Sequence, residues 1–254
     1  MPSDILVAKD VRRHFGGLRA VDGMDIAVEQ GTLTGIIGPN GAGKTTFFNV
    51  LAGFLPPTSG TIHFDGKDVT KLPAHKRCQL GLARTFQITR PFQRMSVLEN
   101  VMVAAQGQAG ERVWGPLLAG PRVTAQEDTV RARAEEHLRF LGLDHLTHEY
   151  AGALSGGQKK LLEIARALMT EPKLILLDEP MAGVNPTLAR KIMEKIQVLR
   201  VERGITFLLI EHDLETVFRH CDPIIVMAQG KELARGGAAD IRANRAVIEA
   251  YLGG

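Results

Sequence analysis

Gly38-Pro39-Asn40-Gly41-Ala42-Gly43-Lys44-Thr45 is the stretch on which the reading of this chain turns. It fits the pattern G-x-x-x-x-G-K-[ST]. Ahead of it, Thr32-Leu33-Thr34-Gly35-Ile36-Ile37 has the character of a short buried strand; behind it, Thr46–Ala52 reads as an apolar helix. Glycines here let the backbone wrap a polyphosphate with its N–H groups turned inward, and the helix N-terminus adds partial positive charge. Lys44 is expected to reach the β- and γ-phosphates of a nucleoside triphosphate, and the Thr45 hydroxyl to ligate Mg²⁺. The alternative is a glycine-rich turn that happens to precede a lysine. A strand before and a helix after are the context the motif requires, and they favour the nucleotide.

Working outward, the 254 residues can bury a substantial core as one large domain or two small ones. A net charge of +3 is too small to argue for nucleic acid. Cys78 and Cys221 lie far apart without metal-ligand spacing, so a reducing cytoplasm is the expectation. Met1 to Phe15 carries charges throughout and has no signal-peptide core. The longest charge-free run, Thr45–Phe64, is interrupted by Gly53, Pro56, Pro57 and Gly60 and cannot be a membrane helix. Any membrane role is expected to come through a partner.

Before the glycine loop, Ile5 to Val28 alternates as antiparallel strands do. Phe15, at the Phe15-Gly16-Gly17 junction, is either core or a platform on which an adenine ring stacks. After the loop, Pro56–Gly60 is a turn cluster leading to the strand Thr61–Phe64, and Leu82–Phe86 is a further strand ending at Gln87. From Ser96 to about Thr170 the chain reads as mostly helical. Ser96–Glu99 and Thr124–Glu127 both have the form of a capping box, and Gly107–Pro121, which contains Trp114, is expected to be a loop between helices. Asn185-Pro186 reads as an N-cap with proline at N1, opening a helix to about Glu202. Strands near Ile224–Met227 and Glu232–Ala234 and a helix around Ala246–Leu252 close the chain.

Chemistry gathers at three further places. Leu174-Ile175-Leu176-Leu177 is a buried parallel strand that delivers Asp178 and Glu179 to the carboxyl edge of a sheet, where ligands bind in α/β folds. Asp178 suits Mg²⁺ ligation through water, and Glu179 suits activation of an attacking water. Two solvated surface acids are the alternative, disfavoured by the apolar run before them. Ser155-Gly156-Gly157-Gln158 opens an apolar-periodic helix; it is either a flexible hinge or a set of backbone N–H groups and a hydroxyl offered to an anion. His212 ends the strand Phe207–Ile210, one helix beyond the acidic pair.

Taken in order, these elements resemble the ATP-binding subunit of an ABC transporter, and the match covers nearly the whole chain. The resemblance implies an α/β P-loop NTPase cassette: a RecA-like mixed-sheet core, an antiparallel β subdomain, and a helical signature subdomain of about residues 92–168 inserted into one domain spanning 1–254. It implies that Gly38, Asn40, Gly41, Ala42, Gly43, Lys44, Thr45 and Thr46 bind ATP as Walker A, with Phe15 at the adenine. It assigns Gln87 as the Q-loop glutamine, a Mg²⁺ contact with Thr45 and Asp178, and Glu179 and His212 as catalytic carboxylate and switch histidine beside Lys44. Ser155, Gly156, Gly157 and Gln158 become the signature. In this family two cassettes close head to tail, so one subunit's signature completes the ATP site built on the other's Lys44. Asn185 stands where many members carry Asp; an amide can still hydrogen-bond across the dimer without charge.

A narrower resemblance joins Phe15-Gly16-Gly17-Leu18, Ala20-Val21, Ala83-Arg84-Thr85-Phe86-Gln87, Ser96–Val101 and the ending Ala246–Gly253 to the branched-chain amino acid uptake group. The lipopolysaccharide-export ATPase is the near alternative; it usually has Leu-Pro-Gln where this chain has Thr85-Phe86-Gln87. The expected partners are two transmembrane permease subunits, a second cassette (identical or paralogous), and a solute-binding protein reached through the permease. The expected location is the cytoplasmic face of the inner or plasma membrane. A nucleic-acid or ribosome-associated ABC ATPase is disfavoured by a single cassette without sustained heptads or a basic tract. A cassette that binds ATP without turnover is disfavoured by Glu179 and His212.

Overall fold

The computed structural model describes residues 3–85, 91–107 and 120–252. The chain divides into two compact units. One comprises Met1–Gln87, Lys173–Pro180 and Ile196–Gly254; the other comprises Ile88–Pro172 and Met181–Lys195.

The first unit carries two sheets. Strands β1 (Asp4–Phe15), β2 (Leu18–Glu29), β4 (Ser59–Phe64) and β5 (Lys67–Asp68) form an antiparallel sheet in the order β2-β1-β4-β5. Strands β3 (Leu33–Ile37), β6 (Leu82–Arg84), β7 (Leu174–Asp178), β8 (Thr206–Ile210), β9 (Ile224–Ala228) and β10 (Lys231–Gly236) form the other, in the order β10-β9-β3-β8-β7-β6. All pairings in this second sheet are parallel except β9 with β10. β3, β7 and β8 are buried at every position, as a parallel sheet covered on both faces requires.

Between the sheets lies the helix Lys44–Leu51, whose Phe47, Phe48, Val50 and Leu51 share one core with Leu6, Ile26, Phe64, Leu176, Leu208 and Ile225. Its far end is held by Arg77, a buried arginine whose Nη1 donates to the carbonyls of Val50 and Leu51 at 2.8 and 2.6 Å. Val50 O also accepts from Gly53 N–H at 3.2 Å just past the helix, and the guanidinium adds its donors to both carbonyls and complements the negative helix end.

The register fixes where chemistry can occur. Ile36 pairs with Ile210, Ile210 with Asp178, and Leu176 with Arg84. The segments that follow β3, β6, β7 and β8 therefore leave from one carboxyl edge.

The second unit is helical. Val97–Met102, Gly120–Leu141 and Gly156–Leu168 pack on one another through Val97, Leu98, Val101, Ala134, Leu138, Leu161, Leu162 and Ala165, all buried. Ser96 caps the first of these with the expected capping box to Glu99. Asn185 caps the helix Pro186–Arg203, its Oδ1 accepting from Leu188 N–H at 2.9 Å.

Three expectations change. Thr124 does not start a helix: Gly120–Leu141 already contains it, because Pro121 sits in the first turn, where its missing N–H costs nothing. The supposed loop is correspondingly shorter at that end, while residues 108–119, Trp114 among them, lie outside the described residues. The strand expected to reach Phe86 ends at Arg84. Phe86 and Gln87 are outside the described residues too.

Candidate functional site

The glycine loop adopts a backbone that only glycine tolerates at two points. Gly38 has φ 152° and Gly43 φ 97°; a Cβ on the first would fall 2.1 Å from Met227 O and on the second 2.2 Å from Ala20 O. Both a forbidden dihedral and a backbone neighbour exclude a side chain there. The close approach to Ala20 sets β2 against the loop. Ala42 N–H donates to Pro39 O at 3.2 Å, and Gly230 N–H donates to Ala42 O at 2.9 Å, which ties the loop to the β9–β10 turn.

Helical bonding begins with Phe47 N–H to Gly43 O at 2.8 Å, so the amides of the turn before it are not used by the ladder. Asn40, Gly41 and Thr45 are exposed, whereas Lys44 is buried. Its ammonium donates to Gly38 O at 2.6 Å and Pro39 O at 3.0 Å, folded back over the loop it would serve. Burial pulls the Lys44 pKa below its usual value, while the facing carboxylates of Glu179 and Asp178 oppose that shift.

At the same edge, Asp178 is buried and its Oδ2 accepts from Arg84 Nη2 at 2.8 Å. Glu179 follows with φ 48°, a left-handed conformation that costs a non-glycine residue of order 1–3 kcal/mol. Its N–H donates to Ile210 O at 3.0 Å, which anchors the strained residue to β8. Glu179 Oε2 lies 3.8 Å from His212 Nδ1, the histidine side chain being largely exposed. Behind His212, the buried Glu211 accepts from its N–H at 3.3 Å.

Phe15 is half exposed at the end of β1, with the Arg13 guanidinium 4.5 Å from its ring centroid. An exposed ring stiffened on one side by a cation can serve as a stacking platform.

Ser155-Gly156-Gly157-Gln158 belongs to the helical unit and opens its helix Gly156–Leu168. Ser155 is the N-cap: its Oγ accepts from Gln158 N–H at 3.3 Å, and Gln158 Oε1 accepts from Ser155 N–H at 2.8 Å. The sequence reads there as a hinge or an anion site; the S-x-x-Q spacing is also that of a capping box, and the structure forms it. Ser155 and Gly156 are exposed; Gly157 is buried, and a Cβ on it would lie 2.1 Å from Leu188 Cδ2. The glycine lets the two helix starts approach.

The structure thus gathers Lys44, Asp178, Glu179 and His212 at one sheet edge and sets Ser155–Gln158 on the other unit. Gln87 lies outside the described residues. Arg84 is the functional candidate that sequence reasoning passed over as part of a family pattern.

Among the described residues, no group of three or more His, Cys, Asp or Glu is placed to hold a metal alone. That fits Mg²⁺, which needs only one or two protein oxygens when it arrives with a nucleotide. Thr45, exposed at the loop, and Asp178 supply hard oxygen donors of the right kind. A cation, two carboxylates and an imidazole beside a turn of unused amides can bind a polyphosphate and move a proton from water.

Comparison with known proteins agrees on what these features belong to. Residues 21–182 match a family described as ABC transporter, and residues 231–254 one described as branched-chain amino acid ATP-binding cassette transporter. A probable branched-chain amino acid transport ATP-binding protein, LivG, of Archaeoglobus fulgidus is 44% identical, the alignment covering 98% of this chain and 95% of that one. BraF of Pseudomonas aeruginosa, a high-affinity branched-chain amino acid transport ATP-binding protein, is 42% identical over 100% and 99%. The crystal structure of an ABC transporter cassette in its ADP conformation superposes with a TM-score of 0.85 at 40% identity, covering 99% of both chains.

Proposed function

The chain belongs to the ABC transporter family of ATP-binding cassettes, and from that premise we propose that it hydrolyses ATP to power uptake of branched-chain amino acids. The observation that carries the reading is the full-length identity to branched-chain amino acid transport ATP-binding proteins, which includes the last stretch of the chain.

The residues divide the work as follows. Phe15 stacks the adenine, and the loop amides from Gly38 to Thr46 receive the phosphates, Asn40, Gly41, Ala42 and Gly43 shaping the turn. Lys44 leaves the carbonyls of Gly38 and Pro39 for the β- and γ-phosphates. Thr45, Asp178 and Gln87 would hold the metal, and Mg²⁺ bound there would neutralise charge developing on the phosphate oxygens. Glu179 takes the proton from the attacking water, and His212, standing beside it, orients Glu179 and the γ-phosphate end of the site.

Ser155 and Gly157, with Gly156 and Gln158, receive the γ-phosphate of a second cassette's nucleotide at an exposed helix start. Two sites then form only when two cassettes close. Among the described residues no helix is long and apolar enough to cross a membrane, so the coupling runs through partners. These are two transmembrane permease subunits, fed by a solute-binding protein, and the chain sits beneath them at the cytoplasmic face of the membrane. Lipopolysaccharide export, the near alternative from sequence, is not favoured by the family matched at residues 231–254.

The test is reconstitution in vesicles with the permease subunits and binding protein. ATP hydrolysis is expected to rise with leucine, isoleucine or valine and to accompany their uptake. Hydrolysis that ignores these solutes but responds to another would overturn the substrate assignment.

A further inference from the structure

Arg84 closes β6 and lies beside β7, with Leu176 as its register partner. Its guanidinium is buried, with 6% of the side chain exposed, and it holds the equally buried Asp178 through Nη2 to Oδ2 at 2.8 Å. The other arm, Nη1, donates to Asn49 Oδ1 at 2.6 Å. Asn49, one turn into the phosphate-loop helix, donates from Nδ2 to the carbonyl of Thr45 at 2.8 Å. An unbroken line of hydrogen bonds therefore joins Thr45 to Asp178 through Asn49 and Arg84. Phe54 lies 5.6 Å from the guanidinium and adds an aromatic face to its surroundings.

We propose that Arg84 is the positioning residue for the metal side of the site: its planar fork sets Asp178 against Thr45 so that both present oxygen to one divalent cation. The inference rests on the Mg²⁺–ATP reading above and adds a residue to it. Lysine could not replace the fork. A guanidinium offers two N–H vectors in one rigid plane, which fixes the plane of the Asp178 carboxylate while holding Asn49; an ammonium offers a point charge. Partners of metal ligands that fix their orientation are worth roughly 10–100-fold in metal affinity.

The experiment separates metal from nucleotide. Titrating Mn²⁺ into the ADP-bound protein, read by electron paramagnetic resonance, gives metal affinity; calorimetry with ATP in EDTA gives nucleotide affinity without metal. Arg84→Lys keeps the charge and loses the fork. It is expected to raise the Mn²⁺ concentration for half-saturation by about tenfold or more, to leave ATP affinity in EDTA unchanged, and to regain hydrolysis at high Mg²⁺. Asn49→Ala, which spares the Arg84–Asp178 contact, should shift Mn²⁺ in the same direction by less, and serves if Arg84→Lys folds poorly. Unchanged Mn²⁺ affinity in the folded variants would overturn the proposal. So would an equal loss of metal-free ATP affinity, which would make Arg84 a general scaffold. A wild-type ADP-bound protein that immobilises no Mn²⁺ would instead overturn the metal site itself, and the proposal with it.

Discussion

His212 Nδ1 stands 3.8 Å from Glu179 Oε2, although 33 positions of sequence, as 212 − 179, separate them. The neighbouring parallel strands β7 and β8 bring them together, since Asp178 pairs with Ile210 and each functional residue leaves its strand just beyond. Glu179 is mostly buried and His212 mostly exposed, so the carboxylate is sheltered while the imidazole faces outward.

If Glu179 takes the proton from water, Glu179→Gln should cut turnover by about 10²–10⁴-fold, the usual cost of losing a general base. The amide keeps the shape and loses the basicity. ATP binding should survive, because Lys44 and the loop amides are untouched, and an ATP-bound dimer should become visible by gel filtration. Unchanged turnover in the purified variant would remove Glu179 from this role.

The signature is tested by opposing variants. Ser155→Arg should abolish hydrolysis while the monomer still binds nucleotide, because a bulky cation would fill the exposed helix start meant for another subunit's γ-phosphate. Lys44→Ala should weaken binding in the monomer itself. Equal loss of monomer binding in both would defeat the assignment of Ser155 to a second cassette's site.

For Phe15, replacing the ring by a methyl group should weaken ATP binding by about 1–3 kcal/mol, the range measured for base stacking on aromatics. Phe15→Trp should retain most of the affinity. Turnover at saturating ATP should change little, since the adenine lies away from the bond broken. An Ala variant with wild-type affinity would leave Phe15 as nothing more than an exposed strand end.

How much of this was legible beforehand depended on how local each signal is. The phosphate loop, the acidic pair after β7 and the Asn185-Pro186 cap were readable because each is a contiguous run whose neighbours state its element. Arg84 was not, because its contact with Asp178 spans 94 positions and a strand of three residues has no periodicity to mark it. The helices Ala74–Gln79, Leu214–His220 and Ala238–Ala243 were missed for the same reason: six or seven residues complete too few turns to show a 3.6-residue repeat. At Thr124 a true cap pattern lost to Gly120-Pro121, which starts the helix earlier.

Phe92 bears on the contact with the permease. Two roles suit an aromatic there, a core phenylalanine pinning the loop to the helical unit or an apolar contact for the permease. The side chain is 48% exposed. Its backbone is what is fixed: Phe92 N–H donates to Asn100 Oδ1 at 2.8 Å, and Asn100 Nδ2 donates to Phe92 O at 3.0 Å. Arg166 rests 5.3 Å from the ring centroid. A buried Asn100 thus holds the backbone of a half-exposed ring, an arrangement that suits a docking contact. A buried phenylalanine would cost about 3–5 kcal/mol on truncation; this ring should cost much less. Phe92→Ala is therefore expected to melt within a few degrees of the wild type, consistent with a loss of about 1 kcal/mol or less, and to keep basal hydrolysis. It should bind the permease subunits poorly and lose the rise in hydrolysis with solute. A large drop in melting temperature together with lost basal activity would make Phe92 structural and end the coupling assignment.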